Sequence, residues 1–467
     1  MGFTYGLAVV LIIFEGIIIQ SDGAGDETST NRIKTDQSFL SNDLIELIFS
    51  KTDFKTIKKA VEEKLFRPNN AVMSRILQNH IILIKPHEFD GGIQEDYQNG
   101  DAFLRFGVYH ELVSFFNKFG DQVKKIEYWY SSTINDVQRN EINQKIIKKS
   151  ANNLEVLRIN TRNDEGFWEE MSTGENDIIF PKVKKFQTRD HCRRKKFDLN
   201  LIFPKLESLE LMGSVADENC LANVKGLKEL ALRTLSIDED KYENIFANNA
   251  NMTRIFLAWP YRTQTMQLMA KYLTKLKTLG VEFPFGYFLL RTNNNAVCKL
   301  PSVTHFIIKF DQMDKRILSG DLSFDMPHLK KFTLNGVETN ADIINFIKHF
   351  KELEVVELLV KDYNVVECIE KLKHIKEFTA TIYETVIGCQ PQFVSLKRTF
   401  EQFDEKSKLQ TLKFVYFGET LLLYKTYEAE MKEINIDLRK SMKPTWTLSQ
   451  GEQIETGLKY LMFKRNP

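Results

Sequence analysis

The residues that could do chemistry do not group into a recognisable site. His110-Glu111 would begin a zinc-protease helix, but the second His that this motif needs is missing. Asp238-Glu239-Asp240 would open a calcium loop, but the Gly at its sixth position and the Glu at its twelfth are absent. The 8 His are dispersed, and neither a nucleophile motif nor a Gly-rich phosphate motif occurs. We therefore expect no catalysis, no metal and no cofactor.

The composition indicates a folded, charge-balanced protein. The 467 residues include 64 Lys and Arg against 63 Asp and Glu, a net charge of +1. This balance argues against a basic nucleic-acid-binding protein, so we expect no nucleic-acid partner. With 43% hydrophobic residues and 35 Phe, the chain can bury a large core.

An apolar run at the N-terminus predicts export. Leu7 to Phe14 has the size of a signal-peptide core, and the small residues Gly23 to Gly25 could form the cleavage zone. The run is too short for a comfortable membrane span, and no later segment is apolar enough to be one. We expect a secreted protein with a signal peptide or hydrophobic leader. The alternative is the cytoplasm or nucleus, because no basic residue precedes Arg32 and the 5 Cys form an odd, sparse set that suits a reducing compartment.

A repeated pattern occupies the middle of the chain. Twelve segments, here called rungs, follow the pattern apolar-x-x-apolar-x-apolar at a mean spacing of 26 residues. Side chains alternate along a strand, so the fourth and sixth positions should face a core and the third, fifth and seventh should face solvent. The polar residues between apolar positions argue against a doubly wound sheet buried on both faces. Helical patterns separate the rungs, and because no unit closes its own core, neighbours must stack as an α/β solenoid. The rungs begin at Val123, Leu154, Val183, Leu206, Leu227, Met252, Leu276, Val303, Leu329, Leu353, Ile375 and Leu409.

This series of rungs resembles the leucine-rich-repeat family in pattern and spacing. The Asn that follows the strand in that family is present as Asn160 and Asn335. The resemblance implies a leucine-rich-repeat solenoid (horseshoe) of about twelve irregular repeats with a small helical N-terminal cap. It also implies a non-enzymatic protein that binds a protein ligand on its concave face.

A second resemblance lies upstream, in the segment FLSNDLIELIFSKTDFKTIKKAV that runs from Phe39 to Val61. It is similar to the F-box motif, which holds an Skp1-type adaptor while following repeats hold a substrate for ubiquitylation. The resemblance implies the alternative function, an intracellular F-box/leucine-rich-repeat substrate receptor of an SCF-type ubiquitin ligase. Without that role, the same apolar stripe would be an amphipathic helix that caps the solenoid. The implied adaptor-binding residues are Leu40, Leu44, Ile45, Ile48 and Phe49.

These patterns divide the chain into five parts. They are a leader (1–25), a flexible polar linker (26–37), an F-box-like helical segment with the N-terminal cap (38–120), the solenoid (121–417) and a C-terminal capping region (418–467).

The candidate partner-binding residues lie at the solvent-facing positions of the rungs. Arg and large apolar side chains at such positions are the types that form binding hot spots. The candidates are Trp129, Arg158, Lys185, Arg189, Arg233, Arg254, Phe256, Ile307 and Leu359.

Two further surface features precede or follow a rung. Asn251 opens an N-x-[ST] triplet and is a glycosylation candidate. The basic run from Arg193 to Lys196 is either a solvated loop or an edge that binds an acidic partner beside Lys185 and Arg189.

A working F-box-like segment would bind its adaptor through Leu44 and Phe49, which both lie on the apolar stripe. We expect Leu44→Asp together with Phe49→Asp to abolish capture of an Skp1-type adaptor, because an unpaired carboxylate is costly to bury in an apolar interface. Co-precipitation of the full chain with the purified adaptor measures this. Failure of the unmutated chain to capture the adaptor would leave only the capping role.

Overall fold

The structure is a computed structural model that describes parts of the chain between residues 77 and 465. The described residues are 77–85, 94–98, 101–106, 108–130, 136–161, 167, 178–189, 198–212, 219–233, 237, 239–258, 263–283, 297–310, 323–337, 347, 349–360, 374–383, 408–417, 446–452 and 459–465.

Strands dominate these residues, and short helices lie between some of them. The strands are β1 (His80–Ile84), β2 (Gln94–Gln98), β3 (Asp101–Arg105), β4 (Lys125–Tyr130), β5 (Val156–Thr161), β6 (Lys185–Thr188), β7 (Ser208–Leu211), β8 (Glu229–Leu232), β9 (Arg254–Ala258), β10 (Thr278–Phe283), β11 (Val297–Lys299), β12 (His305–Phe310), β13 (Ser323–Asp325), β14 (Lys331–Val337), β15 (Val355–Val360), β16 (Glu377–Tyr383), β17 (Thr411–Phe417), β18 (Trp446–Glu452) and β19 (Lys459–Arg465). The helices are α1 (Tyr109–Phe119), α2 (Asp136–Glu141), α3 (Lys148–Ser150), α4 (Leu199–Ile202), α5 (Asn219–Ala222), α6 (Glu239–Asn248) and α7 (Thr263–Tyr272), with a 3₁₀ turn (Gly120–Gln122) and a π-helical turn (Ile142–Ile147).

Seventeen of these strands form one long sheet. Its pairings run in the order β2-β3-β1-β4-β5-β6-β7-β8-β9-β10-β12-β14-β15-β16-β17-β19-β18. Every pairing from β3 to β17 is parallel, whereas β2, β19 and β18 join antiparallel. β11 and β13 pair separately, also parallel. The predicted α/β class with stacked parallel strands is therefore confirmed.

Each of the twelve rungs contains one strand of this sheet: β4 to β10, β12, and β14 to β17, with β11 and β13 outside the set. Their fourth positions, and the sixth positions whose side chains the structure describes, face the core as predicted, because side chains alternate along each strand. The fourth-position residues are all apolar, and none is more than 1% exposed. They are Ile126, Leu157, Phe186, Leu209, Leu230, Ile255, Leu279, Phe306, Phe332, Val356, Phe378 and Leu412.

A repeated backbone contact sets the register between neighbouring rungs. The N–H groups of Glu155 and Val156 both donate to the Lys124 carbonyl, at 2.7 and 3.1 Å. One rung later, the N–H groups of Lys184 and Lys185 both donate to the Glu155 carbonyl, at 2.9 and 3.1 Å. The same pair of donors recurs at each later rung up to β17. The second-position carbonyl of each rung therefore fixes where the next strand begins.

The N-terminal end of the sheet differs from expectation. We expected a small helical cap before the solenoid, but the described part of 38–120 contains three strands as well as α1. β1 reads HIILI, and its residues Ile81 to Ile84 are all buried, so this strand is covered on both faces. A continuous apolar run is typical of a parallel strand buried on both sides, and not of a helix stripe. At the other end, β19 and β18 form an antiparallel pair beyond β17.

The helices pack on the side of the sheet that carries the fourth and sixth positions. Ile245 and Phe246 of α6 and Met266 and Met269 of α7 belong to the same buried core as those strand residues. No helix in the described part of the chain is both long and apolar enough to cross a membrane. The sheet therefore has one face packed against helices and one face that carries the polar positions.

A buried asparagine connects this helical layer to the preceding rung. Asn249 follows α6 and is only 2% exposed. Its Oδ1 accepts from the Leu227 N–H at 2.8 Å, and its Nδ2 donates to the Val224 and Ile245 carbonyls at 2.9 and 2.8 Å. The Leu227 and Val224 groups lie in the segment before β8 and the Ile245 carbonyl in the last turn of α6, where a side chain replaces the missing regular partners.

We expect Asn249→Ala to destabilise the fold by about 1–3 kcal/mol, because it leaves buried backbone groups without partners. Thermal unfolding followed by circular dichroism measures the change. Asn223→Ala is the matched control, since Asn223 is exposed in a neighbouring turn. Equal melting temperatures for the two variants would contradict the role given to Asn249.

Candidate functional site

The third, fifth and seventh positions of the rungs form one side of the sheet, here called the polar face. Along β4 the exposure alternates from residue to residue, with Lys125, Glu127 and Trp129 half-buried and Ile126 and Tyr128 buried. Because the strands are parallel and in register, equivalent positions form rows across the sheet about 4.8 Å apart. The candidate partner-binding residues of the sequence analysis all lie at positions on these rows.

Arg158 is the centre of a polar network at the N-terminal end of this face. Its Nη2 lies 2.6 Å from Asp101 Oδ2, and its Nη1 lies 3.4 Å from Glu127 Oε2. The side chains of Arg158 and Glu127 are only 16% and 13% exposed. Asn160 Nδ2 donates to Glu127 Oε1 at 2.9 Å. The guanidinium is therefore held between two carboxylates, and its charge is already compensated.

Trp129 is fixed by the same network. Its Nε1 donates to Glu127 Oε1 at 2.8 Å, and Lys85 Nζ lies 4.3 Å from the centre of its ring. The cation over the ring is the geometry of a cation–π contact. Trp129 also packs against a small cluster of buried side chains, which consists of Ile81, Leu83 and Phe103.

Three cations surround Arg158, and none of the three forms an ion pair with another described residue. Lys125 and Lys185 face each other across Val156, which is their register partner on β5. Arg189 follows β6 directly and is exposed, while the two lysines are half-buried. We call Lys125, Trp129, Lys185 and Arg189 the corner patch, since they mark the corners of an area centred on Arg158.

The acidic residues of the polar face are distributed differently from these cations. Glu210 lies 2.7 Å from Arg233 Nε, and Glu282 lies 3.6 Å from Arg233 Nη1. Glu357 lies 2.8 Å from Lys331 Nζ. Glu210, Glu282 and Glu357 therefore each contact a cation of another rung, whereas Lys125, Lys185 and Arg189 form no ion pair with another described residue.

The structure corrects the expected exposure of Phe256. This ring is only 8% exposed, although it lies on the polar face. The Arg233 guanidinium carbon and Lys309 Nζ each lie 4.9 Å from its centre. Below it is Gly280, the register partner of Phe256 on β10, where a Cβ atom would come within 2.1 Å of the ring. Phe256 lies flat over the sheet because its neighbour has no side chain, and cations cover it.

His305 belongs to a chain of hydrogen bonds across three strands. Its Nε2 lies 3.0 Å from Thr333 Oγ1, and the Thr333 hydroxyl donates to Glu357 Oε2 at 3.1 Å. Burial, and then the charge of Lys331, lower the pKa of His305 to about 4. The neutral imidazole therefore donates to Thr333, and the group ties β12, β14 and β15 together.

The remaining reactive groups do not form a catalytic site in the described residues. The Cys298 thiol donates to the Met266 carbonyl at 3.4 Å, and burial raises its pKa to about 12. A thiol with this pKa stays protonated at neutral pH and is a poor nucleophile. In the same part of the chain, no group of three or more His, Cys, Asp or Glu is placed to hold a metal ion.

The structure brings the candidate residues together in two groups. Trp129, Arg158, Lys185 and Arg189 meet on β4 to β6. A second group lies on β8 to β12 and contains Arg233, Arg254, Phe256 and Ile307.

Other candidates stand apart from these groups. Leu359 lies on β15 opposite Asn335 in register, and its side chain is outside the described residues. Asn251 is exposed in the turn after α6, where its Oδ1 accepts from Lys275 Nζ at 2.7 Å. The adaptor-binding residues Leu40, Leu44, Ile45, Ile48 and Phe49, and the basic run from Arg193 to Lys196, lie outside the described residues.

The sequence analysis missed two residues that shape these groups. Asp101, which neutralises Arg158, precedes the repeats and gave no signal. Gly280 did give a signal in the sequence, because it occupies the fifth position of its rung. Glycine inside a strand often marks a close approach of another group.

Comparison of the chain with protein-family models and with curated proteins gives no match.

We expect Gly280→Ala to destabilise the protein by about 1–3 kcal/mol, because the new methyl group and the Phe256 ring cannot occupy the same space. Adding Phe256→Ala to Gly280→Ala should recover part of the loss, since removal of the ring makes room. Thermal melts of the two single variants and the double variant form the test. Strict additivity of their effects would contradict the contact between the two residues.

Proposed function

We propose that this chain is a non-enzymatic protein-binding scaffold of the leucine-rich-repeat type, and that it binds a protein ligand on the polar face. The asymmetry of the sheet supports this most directly. The fourth positions of the rungs are at most 1% exposed, whereas Trp129 and most of the described polar side chains on the opposite side are only partly buried. In the described residues, helices cover only the side that carries the fourth positions.

The polar face also has the chemistry of an interface. Arg and aromatic side chains are the residue types that dominate binding energy at protein interfaces. Here Trp129 and Arg158 are held by Glu127, so neither loses much freedom when a partner binds. Preorganised side chains lower the entropic cost of association. The rigid register of the sheet extends the same advantage along all the rungs.

The leucine-rich-repeat assignment is part of the proposal. Parallel in-register strands at a mean spacing of 26 residues along the sequence support it. In such solenoids the helical side is wider than the strand side, so the sheet curves and its exposed face becomes concave.

Export remains part of the same proposal. The exposed Asn251 lies in a turn, which is where N-glycosylation acceptors of secreted proteins occur. The alternative, an intracellular substrate receptor of a ubiquitin ligase, depends on Leu40 to Phe49, which lie outside the described residues. It stays a prediction.

Site-specific photo-cross-linking in the native source tests which side of the sheet binds. A photoreactive residue at Gln187 or Thr379 reports on the polar face, and one at Gln267 on the exposed surface of α7. We expect a discrete adduct of one mass from a polar-face position, which excess unlabelled protein suppresses because the site saturates. The position at Gln267 should give no such adduct.

The opposite pattern would overturn the proposal. Adducts from Gln267 alone, or equal adducts from all three positions, would place binding elsewhere or show that it is nonspecific.

A further inference from the structure

We propose that the corner patch binds an extended acidic segment of a partner protein. This inference rests on the proposed function and specifies its ligand. It starts from the difference between charged side chains of the polar face that form ion pairs with other described residues and those that do not.

The surplus is positive and local. Lys125 and Lys185 have the neutral Val156 between them, and Ser208 lies on the other side of Lys185 in register. Arg189 is exposed at the end of the same strand as Lys185. No ion pair with another described residue involves any of these three cations. Glu127 and Asp101 both bind Arg158, and the three together carry one net negative charge, so the three cations still leave the area net positive.

The spacing of the cations selects an extended ligand. Lys125 and Lys185 lie two strands apart, a backbone separation of roughly 10 Å, and Lys185 and Arg189 lie four residues apart, roughly 13 Å. A single phosphate or carboxylate group is too small to reach all three. An extended peptide advances about 3.3 Å per residue, so acidic side chains three or four residues apart match the longer distance.

The centre of the patch explains why the ligand is a peptide and not a nucleic acid. Glu127 and Asp101 lie among the cations and would repel a continuous phosphate backbone. A peptide can place a neutral residue over them and acidic residues at the corners. Gln187, the register partner of Arg158, offers an uncharged amide at this centre.

Fluorescence anisotropy with the full chain tests the proposal. The probe is a labelled peptide of about twelve residues in which Glu and Thr alternate, so that an extended chain presents all its Glu on one side. Peptides with Gln in place of Glu and a single-stranded RNA of equal charge are the comparison ligands. We expect the Glu peptide to bind more tightly than both, and to weaken as salt is added because exposed charges are screened.

The variant Lys185→Glu with Arg189→Glu should weaken binding of the Glu peptide by about tenfold or more, since it replaces two attractions by two repulsions. The matched control is Lys205→Glu with Lys225→Glu, which makes the same change in net charge at exposed turns outside the patch. Its effect should be less than about twofold. Circular dichroism melts establish that both variants remain folded.

Three results would overturn the inference: equal binding of the Glu and Gln peptides, equal weakening by the two double variants, or tighter binding of the RNA. These results leave the proposed function separately testable. If Thr379 still gives its saturable adduct, the polar face binds a protein by another region. If no polar-face position gives one, the proposed function itself fails.

Discussion

The carbonyl of the second residue of each rung is the contact on which the rest of the fold depends. It accepts two successive N–H groups of the next rung, as Lys124 does from Glu155 and Val156. Because side chains alternate with a period of two, a slip of one residue would move every apolar side chain of a strand to the solvent. The repeated pair of donors prevents this slip. Charges at the same positions support it at several steps, for instance between Glu354 and Lys376 at 2.7 Å.

A fixed register also determines the chemistry of the polar face. Side chains that lie far apart in sequence become neighbours in a row, and carboxylates such as Glu210 and Glu357 find cations on adjacent strands. Exposed ion pairs of this kind add little stability. Their larger effect is to decide which charges remain for a ligand. Around Arg158 two carboxylates share one guanidinium, and Lys125, Lys185 and Arg189 make the area net cationic.

The described residues also include two titratable side chains in fixed contacts. His305 donates to Thr333 and is neutral, and Cys298 is buried and protonated. The antiparallel strands β2 and β18 end the sheet at its two edges. Polar rows on a stiff sheet can recognise a partner with little loss of their own freedom.

The sequence by itself determined the twelve strands of the rungs and their two faces, because alternation of apolar and polar residues is a local property: Ile126 and Tyr128 are buried, and Lys125 and Glu127 are not. Only the tertiary structure decided how the polar residues pair. Arg158 meets Asp101 across 57 positions, since a strand from before the repeats joins the sheet beside them. Phe256 is buried because Gly280 lies beside it in the next strand and cations from two other strands cover it. Such contacts depend on register and on the path of the chain between rungs, and no local pattern encodes either.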